Sequence, residues 1–430
     1  MPKMMRAMTT LALLATAAPS MAQDVAKALP DLGVNVLAVV SDGDQTARSY
    51  STGILGDETR TDRLTLWTTP FDATGTSAGS VEAPNANYSP SGVVVLNTQG
   101  TRAYVVETMR RPAGTTQLAQ LEPSTLLTAY DISQPRAAKQ IASINIGMRP
   151  HSLDLSADGK TLVALSNDAE RPLAFIPITE NGLGEPGFFQ IPDRLDGKGF
   201  GFVQWSPVDN ILAVQFSLDS AVRFLRVTQD GAGRVTTIDP SGDKVITNKY
   251  PFIGQFTPDG SHYITSDVNW GPDGAGVTRG VLTMIRVGRG ESDIQNRQVD
   301  VDITGRSVES FAISPDGQYL IASAMEDTGQ PVGHPNFTGL ARITIHRIDV
   351  ERGRLATVGE VQHEARLPQG IVFDRSGKYL FVGTNELADD ASRGGVKIFR
   401  FDRSPTPTLI DTGIKLYAPP GVHSITVAHP

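Results

Sequence analysis

No cysteine occurs among the 430 residues of this chain. That absence excludes disulfides, a thiol nucleophile, c-type haem attachment, cysteine-ligated clusters and a lipid-anchored N-terminus. A chain of this length can still bury a core large enough to be stable without cross-links. Basic charge is scarce as well: 38 Lys and Arg stand against 46 Asp and Glu, a net charge of −8. Electrostatically driven nucleic-acid binding needs a concentrated basic surface, so no nucleic-acid partner is expected. Long apolar runs are also missing. The longest early run, Leu11–Ala18, falls far short of the ~20 residues that cross a bilayer, so no membrane span is expected. Helical periodicity is lacking throughout the rest of the chain.

What stands at the start reads as an export signal. Lys3 and Arg6 precede the apolar run, and Ser20-Met21-Ala22 places small residues at the two positions a signal peptidase reads. Cleavage is expected after Ala22, with a periplasmic or secreted destination. Residues 1–22 are thus a signal peptide, and residues 23–430, at net charge −10, form a single domain.

That domain is built on a refrain. Ser314-Pro315-Asp316-Gly317-Gln318-Tyr319-Leu320 has close copies beginning at Ser156, Thr257 and Asp374, and weaker ones at Asn97 and Ser206. Each is an apolar run, a tight polar turn and a second apolar run, the pattern of a β-hairpin. The turn positions Gly100, Gly159, Asp209, Gly260, Gly317 and Gly377 lie 59, 50, 51, 57 and 60 residues apart. Such a period indicates propeller blades with enlarged loops. Two more strand-like runs follow each hairpin, giving four strands per repeat. The last residues, Gly421–Ala428, match Arg149–Ser156 but lack a hairpin partner, while 33–40 and 64–69 are strands without an inner neighbour. The expectation is an all-β, seven-bladed β-propeller of four-stranded antiparallel blades, its ring closed by N- and C-terminal strands in one blade.

The phrases Arg149–Asn167 (RPHSLDLSADGKTLVALSN) and Leu367–Glu386 (LPQGIVFDRSGKYLFVGTNE) resemble the blade motifs of YVTN-type and lactonase-type seven-bladed propellers. The lactonase-type superfamily includes bacterial 6-phosphogluconolactonases. The resemblance spans nearly the whole mature chain. It implies a lactonase-like hydrolase acting on a small cyclic ester or sugar-acid lactone. Blade motifs specify architecture rather than chemistry, so a noncatalytic periplasmic ligand- or protein-binding propeller is the alternative.

The repeat itself suggests where a site lies. The first-to-second turns are short, whereas the second-to-third loops 108–125, 268–280, 325–339 and 387–394 are long, so one face of the ring is plain and the other elaborated. Long loops in a compact repeat fold carry function, and the elaborated face is a possible protein-binding surface. Eight residues before each turn lie Gly92, His151, Gly201, Phe252, Glu309 and Gln369, with His423 joining by its match to His151. A lactonase needs a base to activate water and donors to hold the oxyanion. His151, Glu309 and His423 are the catalytic candidates. Arg149, Arg306, Gln369, Asn167, Asn385 and Glu386 are the candidates for holding a small anionic or sugar-like ligand. No metal ligand is assigned by spacing. The gluconolactonase type of propeller holds calcium with Glu, Asn and Asp, so the resemblance makes Ca²⁺ a possible cofactor, with Glu309, Asn167 and Asn385 as oxygen ligands. Each histidine could equally hydrogen-bond a neighbouring blade, and each arginine could equally form a blade-to-blade salt bridge. Gly75-Thr76-Ser77-Ala78-Gly79 has the letters of a nucleophile elbow but lacks its strand and helix.

Overall fold

Strand after strand here is buried on both faces, and that follows from stacking twisted sheets around a ring. The second strands Thr161–Ser166 and Ile211–Phe216 are buried at every position. An outer strand such as Lys139–Asn145 is largely exposed. In a computed structural model, which describes residues 32–72, 74–85, 92–191, 199, 201–270, 278–289 and 295–429, seven four-stranded antiparallel sheets form the blades. The predicted signal peptide lies outside the described residues. Among those described, no helix is long and apolar enough to cross a membrane.

Blade 1 is composite: from the axis outward it runs Val422–Ala428, Val36–Ser41, Arg63–Thr68 and Gly79–Glu82. Its C-terminal strand pairs antiparallel with the first strand of the described chain, Val36 opposite Ala428 through Val40 opposite Ser424. Blades 2 to 7 begin with the inner strands Val94–Leu96, Pro150–Leu155, Gly201–Trp205, Pro251–Phe256, Ser310–Ile313 and Arg366–Phe373. The six sequence repeats and the split seventh are therefore all present.

The refrain does what its residues suggest. Ser156 Oγ donates to Asp158 at 2.7 Å, Thr257 Oγ1 to Asp259 and Ser314 Oγ to Asp316, both at 2.6 Å. The glycine that follows each aspartate turns the chain in the left-handed region, with φ of 71°, 66° and 70° at Gly159, Gly260 and Gly317. These aspartates are hairpin residues on the plain face.

Inner strands of neighbouring blades run side by side without pairing, so their backbone N–H groups need other acceptors. Side chains of the preceding blade supply them. Asp154 accepts from Trp205 N at 2.7 Å, Gln204 from Phe256 N at 2.7 Å and Gln255 from Ile313 N at 2.9 Å. Apolar side chains fill the space between blades further out, as where Phe373, Leu380 and Phe399 meet Ile321 and Ile345.

The sequence shows no helical periodicity, yet Ala47–Thr52 is helical. Six residues are too few to display a period. The helix belongs to a second-to-third loop of blade 1, residues 42–62, which was not among the predicted expanded loops. Ala47 and Tyr50 pack on Met325 and Leu367 of blades 6 and 7. At the other end, Leu55 N donates to Thr116 O at 2.9 Å and Arg111 pairs with Asp44 at 2.7 Å. The segment therefore spans the elaborated face between blades 6 and 7 and the 108–125 loop.

Candidate functional site

Five of the seven inner strands approach the axis through a local backbone reversal. Two residues before the ring position the chain is left-handed: Arg149 (φ 56°), Tyr250 (68°), Ser307 (52°), Leu367 (49°) and Gly421 (88°). For the four non-glycine residues this conformation costs about 1–2 kcal/mol each. The reversal is followed by pairing irregularities at Pro150/Ser152, Pro251/Gly254 and Pro368/Ile371. Bulges of this kind re-aim side chains, and the ring residues His151, Phe252, Glu309, Gln369 and His423 are all buried.

Glu309 and Gln369 meet: Gln369 Nε2 donates to Glu309 Oε2 at 3.0 Å. Burial pushes the Glu309 carboxyl up to about 8, against the partial stabilisation of that hydrogen bond. His151 Nδ1 lies 3.0 Å from Arg149 O, which can only accept, so the ring proton sits on Nδ1. Its Nε2 faces the backbone of Gly201, where a Cβ would stand 3.0 Å away. His423 Nε2 lies 2.6 Å from Asn85 Oδ1, whose own Nδ2 donates to Ser41 O and Ala83 O. Asn85 Oδ1 therefore accepts, and His423 carries its proton on Nε2. Burial lowers the His423 pKa to about 3, so the imidazole is neutral.

The predicted ligand-binding arginine Arg306 is engaged in ion pairs with Glu326 at 3.1 Å and Asp327 at 2.5 Å. Glu386 pairs with Arg366 at 2.9 Å, and that guanidinium also lies over the Phe337 ring, 5.8 Å from its centroid. These pairs anchor the 325–339 loop and the strand ends beside it. Arg149 contributes its carbonyl to His151, and its N–H donates to Ser124 O at 2.7 Å. Trp270 Nε1 donates to Ser307 at 3.0 Å, and its ring packs on Tyr250 and Phe252, with centroids 5.6 and 5.4 Å away.

A second set of polar residues lies eight residues after four of the six turns: Thr108, Asn167, Ser217 and Asn385, with Val268 and Met325 at the position in the other two. Thr108 Oγ1, Asn167 Oδ1, Ser217 Oγ and both amide atoms of Asn385 are buried with no hydrogen-bond partner among the described residues, as is Gln369 Oε1. Buried polar atoms require partners, so this layer is a place for ordered water or a polar ligand. Asn167 and Asn385 were found in the sequence; Thr108 and Ser217 were missed, although the turn spacing that located the first ring also locates them. Among the described residues no three His, Asp or Glu side chains group as a metal site. The oxygen donors Glu309, Asn167 and Asn385 belong to blades 6, 3 and 7.

Burial of these acids has a measurable consequence. Asp267 is pushed to about 7 and Glu309 to about 8, chiefly by burial, whereas burial lowers His262 to about 4 and His363 and His423 to about 3. A raised carboxyl pKa means that the unfolded state loses its proton first, so stability falls as pH rises up to the folded pKa. The histidines act in the opposite sense, but only below their unfolded pKa of about 6.5. The melting temperature is therefore expected to fall between about pH 6.5 and 8, and Glu309→Gln should flatten that fall. A melting temperature that rises over this interval would contradict the burial described.

No protein-family model matches the chain, and no curated protein matches it by sequence. Solved structures match in shape. A periplasmic gluconolactonase from Pseudomonas aeruginosa superimposes with a TM-score of 0.59 at 16% identity, covering 92% of this chain and 100% of that one. A protein from Bacteroides uniformis, provisionally described as a 6-phosphogluconolactonase, gives 0.61 at 17% identity over 92% and 100% of the two chains. A functionally unknown protein from Desulfotomaculum acetoxidans gives 0.60 at 12% identity over 92% and 99%. By architecture the chain is a seven-bladed β-propeller, the fold these solved structures share.

Proposed function

We propose that the protein is an exported lactonase-like hydrolase that opens a small cyclic ester or sugar-acid lactone at the elaborated end of the channel, with Glu309 as its acid–base group. The observation that carries this reading is the Glu309–Gln369 pair, a buried carboxyl whose pKa of about 8 lies close to neutrality. A group so poised is suited to taking a proton and returning it. In ring opening, water adds to the acyl carbon and the acyl–oxygen bond breaks. Glu309 as carboxylate takes the proton of the attacking water, and as acid returns it to the leaving alkoxide. Gln369 orients that carboxyl. The amide of Asn385 and the hydroxyls of Thr108 and Ser217 are the groups with hydrogen-bonding capacity for a polyhydroxylated substrate. His423, which is neutral, and His151, each held through one ring nitrogen, serve as positioning residues in this reading. The fold likeness to a gluconolactonase supports the substrate class by analogy alone.

A panel of aldonolactones monitored with a pH indicator tests the reading. Acid release is expected from at least one lactone, with a rate that rises with pH and levels off above about pH 8. Release no faster than the spontaneous rate across the panel would leave the noncatalytic binding propeller as the function.

A further inference from the structure

The plain face carries a second feature, remote from the ring residues. Between blades 5 and 6 a cleft of about 420 Å³ opens beside the Thr257–His262 turn. Its walls include Arg286 and Arg297, which stand directly opposite each other on the third and fourth strands of blade 5. Like charges in that relation are destabilising.

The other blades provide an internal control. The third-strand residue opposite the start of the second strand is Asp131 in blade 2, Arg226 in blade 4 and Arg286 in blade 5. On the fourth strand, Asp131 faces Lys139 and Arg226 faces Asp239. Opposite charges thus meet in blades 2 and 4, the equivalent Arg347 and Arg400 of blades 6 and 7 face Ala356 and Ile410, and like charges meet in blade 5.

Nearby carboxylates do not resolve the mismatch. Asp259 accepts from both Thr257 Oγ1 at 2.6 Å and Ser261 Oγ at 2.8 Å. Because the Ser261 proton goes to Asp259, its oxygen accepts from His262 Nδ1–H at 2.8 Å. His262 is buried and neutral, its pKa lowered to about 4 by burial against the opposing Asp259 charge, with a smaller lowering from Arg286. Glu351 lines the same cleft, but no ion pair joins it to either arginine among the described residues. Arg352 also lines the cleft but is paired with Asp349 at 2.8 Å, and Val299 and Val350 supply an apolar wall.

We propose that this cleft binds a small oxyanion, a phosphate-type or carboxylate group of a metabolite, between Arg286 and Arg297. Two guanidinium groups carried on directly opposed residues of one cleft match an oxyanion with several acceptor atoms, and the anion offsets the repulsion of the bare pair. The apolar wall leaves room for the rest of a small molecule.

The test is calorimetric titration of the full chain with inorganic phosphate, and separately with citrate, at constant ionic strength. Saturable binding of at least one anion is expected. Arg297→Asp recreates the charge pattern of blade 4 and should weaken that binding at least tenfold while raising the melting temperature of the unliganded protein. Glu309→Gln should bind as the wild type does, which separates this site from the channel. The segment between the two strands in the sequence contains Glu291 and Asp293, outside the described residues, so a Glu291→Gln/Asp293→Asn variant is included. Binding that appears only in that double variant would show that the chain's own carboxylates hold the arginines, overturning the proposal. Equal binding by wild type and Arg297→Asp, or no binding by the wild type, would overturn it as well.

Discussion

Ending the chain after Gly421 is expected to abolish cooperative unfolding, although only nine of the 430 residues are removed. The lost segment is the inner strand of blade 1, paired along its length with Val36–Ser41. Val422, His423, Ser424 and Ala428 are all buried. Without them Asn85 loses its imidazole partner, Val93 N loses the Ser424 hydroxyl, and the Val36–Ser41 edge is left unpaired at the axis. The damage extends beyond one blade, because Val422 packs with Phe381, Val396 and Leu416 of blade 7. A broad, low-amplitude thermal transition with increased protease sensitivity is the predicted outcome. A sharp transition within a few degrees of the full-length protein would show that the ring does not depend on its closing strand.

Replacing Glu309 with glutamine is expected to lower turnover of a lactone substrate by about 10²–10⁴-fold, the usual contribution of a positioned acid–base group. Glutamine has nearly the same shape, and its carbonyl can still accept from Gln369 Nε2, so the local packing should survive. KM should change little, because the exchange removes proton transfer rather than binding area. The pH profile provides the sharper readout: the wild-type rise through about pH 8 should disappear in the variant. A variant that kept the wild-type rate and profile would rule out Glu309 as the acid–base group. It would leave open whether another residue of the ring performs the chemistry.

The architecture was readable because hairpin chemistry is local. A Ser-x-Asp-Gly turn needs only its own residues, so Gly159, Gly260 and Gly317 mark blade positions in the sequence as reliably as in space. Closure was also readable, since the 421–428 segment repeats 149–156 and then stops short of a hairpin. The first ring, from His151 to His423, followed from counting back from those turns.

What counting could not reveal was partnership. His423 and Asn85 are separated by 338 positions, and nothing local to either announces the other. The left-handed conformations at Arg149, Tyr250, Ser307 and Leu367 were hidden because none of these residues signals positive φ as glycine does. The arginines near the blade boundaries suited either anion binding or ion pairing. Arg306 and Arg366 proved to be paired because the 325–339 loop and the end of the second strand of blade 7 bring Glu326, Asp327 and Glu386 to them. Helix 47–52 was invisible to periodicity because it is held by tertiary packing on Met325 and Leu367.

The side-chain acceptors on the inner strands give the ring a direction. Asp154 serves blade 4, Gln204 serves blade 5 and Gln255 serves blade 6, each reaching only to the blade that follows it in the chain. Each acceptor lies three residues after its own ring position, and each donor four residues after the next one, so the same bond is repeated from blade to blade. The bonds therefore fix the sense in which the blades follow one another and not the identity of each: a blade turned end for end would lose its acceptor, whereas one exchanged for a neighbour would keep it.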